Sequence, residues 1–220
     1  MRMPCTDVAA AVEHLPPAAV LTLDDVSWEG YELILEEFDE RPALRITYDQ
    51  GRLDIVTTSR AHERRHVFIS RMICAIADEL NIDVEGIGGT TEKSKRHQKG
   101  TEPDASFYIG SLERTIGKEE LNLETDAPPD LVIEIDKSNQ SLRKLPIYAA
   151  FGVPEVWRYV VRGKKAEICQ LIDKTYVECS ASRFFPVLTT SILARFVEQS
   201  AAEGQPAALK AFRRWLKTQK

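Results

Sequence analysis

The chain has 220 residues, 43% of them hydrophobic and 29% charged, with a formal net charge of −5. This composition describes a soluble globular protein with room for one packed domain, and the acidic balance excludes a protein that coats nucleic acid through bulk charge. Cys5, Cys74, Cys169 and Cys179 lie far apart without metal-ligand spacing, no apolar run approaches a membrane span, and the N-terminus lacks an export signal. A cytoplasmic protein with no membrane partner is therefore expected.

Residues 1–20, with Pro4, Pro16, Pro17 and many alanines, read as a flexible lead-in. Residues 22–39 carry Leu23, Val26, Tyr31, Ile34, Leu35 and Phe38, a spacing that predicts one or two amphipathic helical pieces broken near Gly30. A hairpin follows. Residues 43–48 and 53–57 are β-rich and flank Asp49-Gln50-Gly51-Arg52, with glycine where a positive φ is favoured. Ser59 is placed to cap a helix that runs to about Leu80, with Glu63 close to its first turn. His62, His66, Ile69, Ile73, Ile76 and Leu80 then share a stripe, so this helix should lie against a sheet. Residues 82–89 predict a strand, and residues 90–100 a polar loop holding several basic residues. The plain reading of such a loop is solvated surface. Lys93, Lys95 and Arg96 are the candidates in it for contact with nucleic-acid phosphate.

Residues 104–109 predict a strand with Asp104, Ser106 and Tyr108 on one face and Ala105, Phe107 and Ile109 on the other. Residues 111–124 read as an insertion or short helix. Pro128-Pro129-Asp130 then turns the chain into an apolar strand, residues 131–136, in which Glu134 and Asp136 share a face. Two carboxylates at the end of such a strand are costly unless something cationic binds there. A polar loop, a helix over residues 142–151 ending at Gly152, and a strand over residues 155–161 complete a crossover of the kind that joins parallel strands. Lys144 enters that helix beside the acidic strand end. Residues 165–172 and 176–179 predict outer antiparallel strands, and residues 188–199 a helix. A spacer at Gly204-Gln205-Pro206 leads to a basic amphipathic end. The expected organisation is one domain over residues 21–199, followed by a basic C-terminal tail helix within residues 200–220.

The chemistry centres on Asp104, Glu134, Asp136 and Lys144. If their strands are neighbours, the Asp104 and Glu134 carboxylates converge. Hard divalent cations choose oxygen ligands, often only one or two carboxylates with waters and substrate phosphate. A nearby lysine can orient or deprotonate a water, or hold a phosphate oxygen, so the pattern asks for a metal-dependent phosphoryl hydrolase. Plainer roles stand beside these. Glu63 can cap its own helix, Asp136 can start the loop, and His62 and His66 can be hydrogen-bonded core histidines.

Pro103-Asp104, a gap of about thirty residues, and Glu134-Ile135-Asp136 resemble the PD-(D/E)XK nuclease signature. More narrowly, the chain resembles the Uma-two branch of restriction endonucleases. The matching pieces are Tyr31-Glu32-Leu33, Asp49-Gln50-Gly51, His62-Glu63, the tract from Pro129 to Glu134, and Tyr148-Ala149 through Gly152 to Trp157. The resemblance implies an α/β restriction-endonuclease-like core, with a mixed central sheet flanked by helices. It implies a DNA endonuclease that hydrolyses phosphodiester bonds with Mg²⁺, for which Mn²⁺ can substitute. Asp104 and Glu134 would be metal ligands with the carbonyl of Ile135 as a third, and Glu63 matches an acidic helix position of the superfamily. One departure matters. Asp136 stands where the signature has lysine, and Lys144 matches the basic residue this branch carries on the following helix. Lys137 is the alternative, although strand alternation points it away from Glu134. A competing function is an inactive nuclease-fold protein that binds nucleic acid or serves in assembly; a more distant one is hydrolysis of a small phosphorylated substrate. A homodimer is expected, because two-fold symmetry places two sites on two strands, and the hairpin and outer strands could supply pairing edges.

Overall fold

Two β-sheets face each other across a groove, and the chain visits the first, crosses to the second, returns, and crosses again. A computed structural model describes residues 5–39, 44–110, 112–118 and 121–219.

The first sheet is antiparallel throughout. Its strands are β1 (Val20–Leu23), β2 (Leu44–Asp49), β3 (Arg52–Thr57), β5 (Glu92–Ser94) and β6 (Lys99–Thr101), in the order β1-β3-β2-β6-β5. The β2–β3 turn has positive φ at both Gln50 and Gly51, which matches the twist of a tight hairpin. Alternation in β2 sends Leu44, Ile46 and Tyr48 to a core shared with α1 (Cys5–Glu13) and α2 (Trp28–Phe38), while Arg45 and Thr47 line the groove.

The second sheet is mixed. It contains β4 (Val84–Gly88), β7 (Ala105–Ile109), β8 (Leu131–Asp136), β9 (Glu155–Val160), β10 (Lys165–Ile172) and β11 (Thr175–Cys179), in the order β11-β10-β9-β8-β7-β4. Among the described residues only β8 and β9 pair in parallel, as the crossover between them requires. Every residue of β8 is buried because helices cover both faces. On one face α3 (Arg60–Leu80), α5 (Thr190–Glu203) and α6 (Gln205–Lys217) enclose a core that includes Met72, Ile76, Ile133, Trp157, Phe196 and Phe212. On the other, α4 (Leu145–Phe151) lays Tyr148 against Val132 and Val156. Ser59 caps α3 by accepting from the His62 N–H at 3.3 Å, and Asn81 ends it in the left-handed conformation.

The predicted strands at 104–109, 131–136 and 155–161 do share one sheet, and helices at 60–80 and 145–151 cover it. Several expectations differ. Residues 22–39 do not form broken helical pieces: β1 comes first, and α2 then runs through Gly30, whose N–H is taken by the capping Ser27 hydroxyl at 3.2 Å. The lead-in contains α1, which buries Val8 and Val12, while residues 1–4 lie outside the described residues. The polar loop at 90–100 is the β5–β6 hairpin, pairing with β2. Within 111–124 a 3₁₀ turn spans Leu112–Arg114, and residues 111 and 119–120 lie outside the described residues. The hairpin at 43–57 is largely covered as an edge, because β1 pairs with β3 and β6 pairs with β2 over Thr47–Asp49; residue 43 lies outside the described residues. The C-terminal helix is docked: Phe212 stacks on Trp215 and meets Phe196 edge-on inside the main core. Among the described residues no helix is long and apolar enough to cross a membrane.

Candidate active site

The antiparallel register Ala105↔Ile133 sets Asp104 beside the end of β8. Its backbone N–H donates to the Ile133 carbonyl at 3.2 Å, and its Oδ2 accepts from the Ile135 N–H at 2.7 Å. Glu134 alternates to the same groove, and both acids are buried. Lys144 stands between a 3₁₀ turn (Gln140–Arg143) and α4, where Pro146 occupies a first-turn position that lacks a hydrogen-bond partner anyway. Its Nζ lies 2.9 and 3.0 Å from the two oxygens of Glu134 and 3.0 Å from the Glu102 carbonyl. One helical turn later Tyr148 donates its hydroxyl to Glu134 Oε1.

A second set of side chains approaches Asp104 from α3 and β2. His62 Nε2 lies 2.7 Å and Arg45 Nε 3.5 Å from Asp104 Oδ1. His66 places Nδ1 2.8 Å from the Asp104 carbonyl and Nε2 3.0 Å from Glu63 Oε2. Arg45 also reaches within 3.7 Å of Glu63 Oε1. Capping by Ser59 fixes the first turn of α3, and that turn aims His62 at Asp104.

These contacts separate the two acids. Burial alone would raise Asp104, but His62 at 2.7 Å, with the Lys144 charge and the Ile135 N–H, outweighs it and holds the carboxyl below its ordinary range. Burial works against a charged His62, yet Asp104 and the neighbouring acids raise its pKa. Burial pushes Glu134 up to about 7 despite Lys144, with the Asp104 charge adding to the rise. Two acids pushed apart in this way can take different roles.

Four of the predicted site residues come together: Asp104, Glu134, Ile135 and Lys144 all line the groove. Glu63 does not line it; Glu63 faces a second cavity that Asp104 and Arg45 also line, and it reaches the Asp104 cluster through Arg45, His66 and its charge on His62. Lys137, just past the end of β8, is exposed and also lines the groove, so alternation does not carry it away from the acids. Asp136 is a structural acid whose oxygens are taken by Ser141 and Arg158. Lys93, Lys95 and Arg96 are on the β5–β6 hairpin, away from the groove lining. Lys93 pairs with Glu32 at 3.3 Å and Lys95 with Glu29 at 3.4 Å, and the Arg96 N–H binds Glu124. Sequence reasoning missed Arg45, Tyr148 and the His62 contact. An arginine between Leu44 and Ile46 in an apolar strand was the signal for the first; Tyr148, four residues after Lys144, was the signal for the second.

The donor set suits a hard cation. Asp104 and Glu134 offer buried carboxylate oxygens in one groove, and the upward shift of Glu134, caused mainly by burial and in part by the Asp104 charge, is one a cation would oppose. Among the described residues no three His, Cys, Asp or Glu side chains are grouped to hold a metal ion. A cation here would therefore rest on two carboxylates, completed by carbonyl or water oxygens, as Mg²⁺ tolerates.

The Uma2 family model, described as "Putative restriction endonuclease", matches residues 28–199. Among solved structures the chain is similar to "a putative nuclease belonging to DUF820 from Anabaena variabilis ATCC 29413". The two are 17% identical with a TM-score of 0.53, over 74% of this chain and 98% of that one. At that identity the likeness concerns the fold. No curated protein matches the chain. The family match runs from the start of α2 into α5 and contains Asp104, Glu134 and Lys144, so the chain belongs to the Uma2 family.

Proposed function

We propose that this protein is a Mg²⁺-dependent endonuclease that hydrolyses phosphodiester bonds in DNA, with Mn²⁺ able to substitute. Asp104 and Glu134, with the Ile135 carbonyl, would hold the cation. A cation there supplies positive charge against the negative charge that develops during phosphodiester cleavage. In the reaction an oxygen–phosphorus bond forms from water and one ester P–O bond breaks. Water gives up one proton, and the leaving oxygen takes one. Lys144 is the candidate to orient the water or hold a phosphate oxygen, since its Nζ carries protons into the space beside Glu134. The Glu102 carbonyl holds that ammonium, Tyr148 holds Glu134, and His62 and Arg45 orient Asp104.

The observation that supports this reading is the convergence of Lys144 with both acids, reached from α4 rather than from β8. The test incubates purified protein with supercoiled plasmid in Mg²⁺ or Mn²⁺ beside an Asp104→Ala control. Nicking or linearisation by the wild type alone is expected; equal products from both proteins would sink the proposal. A second reading also has an observation behind it. Both acids already have a basic partner in the chain itself, His62 on Asp104 and Lys144 on Glu134. A binding or assembly protein that never cuts would use such a self-neutralised centre as structure. It would retain DNA without divalent metal and yield no products with it.

A further inference from the structure

The groove between the sheets has a volume of about 830 Å³ and runs well beyond the acids. Six cationic side chains line it, Arg45, Arg52, Arg65, Lys137, Arg143 and Lys144, against four carboxylates, Asp54, Asp104, Glu134 and Asp136. This excess of positive charge stands out in a chain whose net charge is −5. Three of the four acids are buried and held by partners of their own, which leaves Asp54 as the acid of the far wall. Asp54 binds Arg52 at 3.1 Å and lies 3.9 Å from Arg143. Arg52 comes from β3 and Arg143 from the turn before α4, so this acid holds two guanidinium groups from opposite sides of the groove. On the α3 side, Arg65 gives one N–H to the Ala61 carbonyl at 2.8 Å, and its buried Nε has no hydrogen-bond partner among the described residues. Thr58, Ser138 and Asn139 add neutral donors to the lining. Among the described residues the lining has no Phe, Tyr or Trp, and its one imidazole, His62, is turned onto Asp104, so it offers little platform on which unpaired bases could stack.

We propose that this groove is a track for the sugar–phosphate backbone of a polynucleotide, held by Arg52, Arg65, Lys137 and Arg143 and leading one phosphodiester to Asp104, Glu134 and Lys144. The assignment rests on the nuclease reading and adds to it the surface that carries the substrate. It replaces the β5–β6 hairpin, whose lysines stand outside the groove that holds the acids. Contact through phosphate alone makes binding indifferent to base sequence and steeply dependent on salt.

The test is fluorescence anisotropy of a labelled duplex of about 20 base pairs in EDTA, over a salt series, so that no cleavage intervenes. Arg143→Glu and Lys137→Glu are the variants; both positions are exposed, and circular dichroism checks their fold. Each is expected to weaken binding roughly tenfold and to reduce the slope of log affinity against log salt by about 0.9. Lys93→Glu with Lys95→Glu should bind as the wild type does. Wild-type affinity in both groove variants, with loss in the hairpin variant, would overturn the track and return it to the hairpin. Absence of duplex binding by the wild type would overturn it as well. Binding that the groove variants lose, by a protein that cuts nothing in Mg²⁺ or Mn²⁺, would support the track and remove the nuclease reading.

Discussion

Lys144 holds its place against two unfavourable effects. Its ammonium is largely buried, and it stands at the N-terminal end of α4, where the helix dipole disfavours a cation by about 0.3–1 kcal/mol. A carboxylate at about 3 Å outweighs the dipole, since such a pair gains roughly 5 kcal/mol before desolvation at an effective dielectric of about 20. The Glu102 carbonyl takes a further proton of the ammonium, so the group is both paired and hydrogen-bonded, as a buried charge must be. Lys144→Ala is expected to lower turnover on plasmid at least roughly tenfold, about 1.4 kcal/mol of transition-state stabilisation. Lys137→Ala should change turnover little when substrate is saturating, because its exposed side chain acts on affinity. If Lys137→Ala abolishes turnover and Lys144→Ala leaves it intact, the basic residue belongs to the strand end.

At the scale of elements, the segment between β8 and α4 carries Lys144, and a buried network braces it. Asp136 accepts from the Ser141 N–H at 2.8 Å, the Ser141 hydroxyl at 2.7 Å and Arg158 Nη2 at 2.6 Å. Arg158, on β9, is almost wholly buried; it also donates to the Ser141 hydroxyl at 2.8 Å and pairs with Glu167. The strand, the turn and the neighbouring strand are thus tied at one point, and the backbone leaving that point sets where Lys144 begins. Removing Asp136 leaves a buried guanidinium short of a partner, which costs about 3 kcal/mol even with Glu167 retained. Asp136→Ala should therefore lower the urea midpoint and also reduce turnover, with Asp136→Asn recovering part of both. Full turnover in a destabilised Asp136→Ala protein would show that the brace serves stability alone.

At the scale of the whole molecule, polar groups are buried where the first sheet leads into the second, between β6 and β7. Glu102 accepts from the Ile46 N–H at 2.8 Å, and Thr47 and Thr101 share a buried hydrogen bond of 3.2 Å. Glu92 of β5 is also buried here, close enough for its charge to act on Tyr108 of β7, and its Oε1 has no hydrogen-bond partner among the described residues. Burial pushes its pKa up to about 7 from 4.5. The folded state then binds a proton more tightly than the unfolded state. Glu92 consequently favours folding below about pH 4.5, loses that advantage as pH rises towards 7, and contributes a constant penalty above it. The full swing is about 3 kcal/mol. Glu92→Gln should raise stability relative to wild type at pH 8 more than at pH 5, read by urea unfolding of both proteins at each pH. An identical difference at the two pH values would mean that Glu92 does not titrate in this window.

The sequence by itself determined the strands at 104–109, 131–136 and 155–161, the crossover helix ending at Gly152, and the convergence of Asp104 with Glu134. These follow from local rules: alternation assigns faces, a left-handed glycine ends a helix, and a short crossover makes its strands parallel. Lys144 was legible because it is close in sequence to the acidic strand end and its place matches the family. Only the tertiary structure decided that Arg45 and His62 converge on Asp104, that Tyr148 holds Glu134, and that α1 and α6 pack into cores. Apart from the reach of Tyr148, these contacts join segments far apart in the chain, and no local pattern encodes them. The same distinction explains the basic hairpin. The charges of Lys93 and Lys95 are visible in the sequence, but Glu32 and Glu29 meet them only when α2 folds across the first sheet. Whether a charge is spent within the fold or left to bind a partner depends on which residues folding brings beside it.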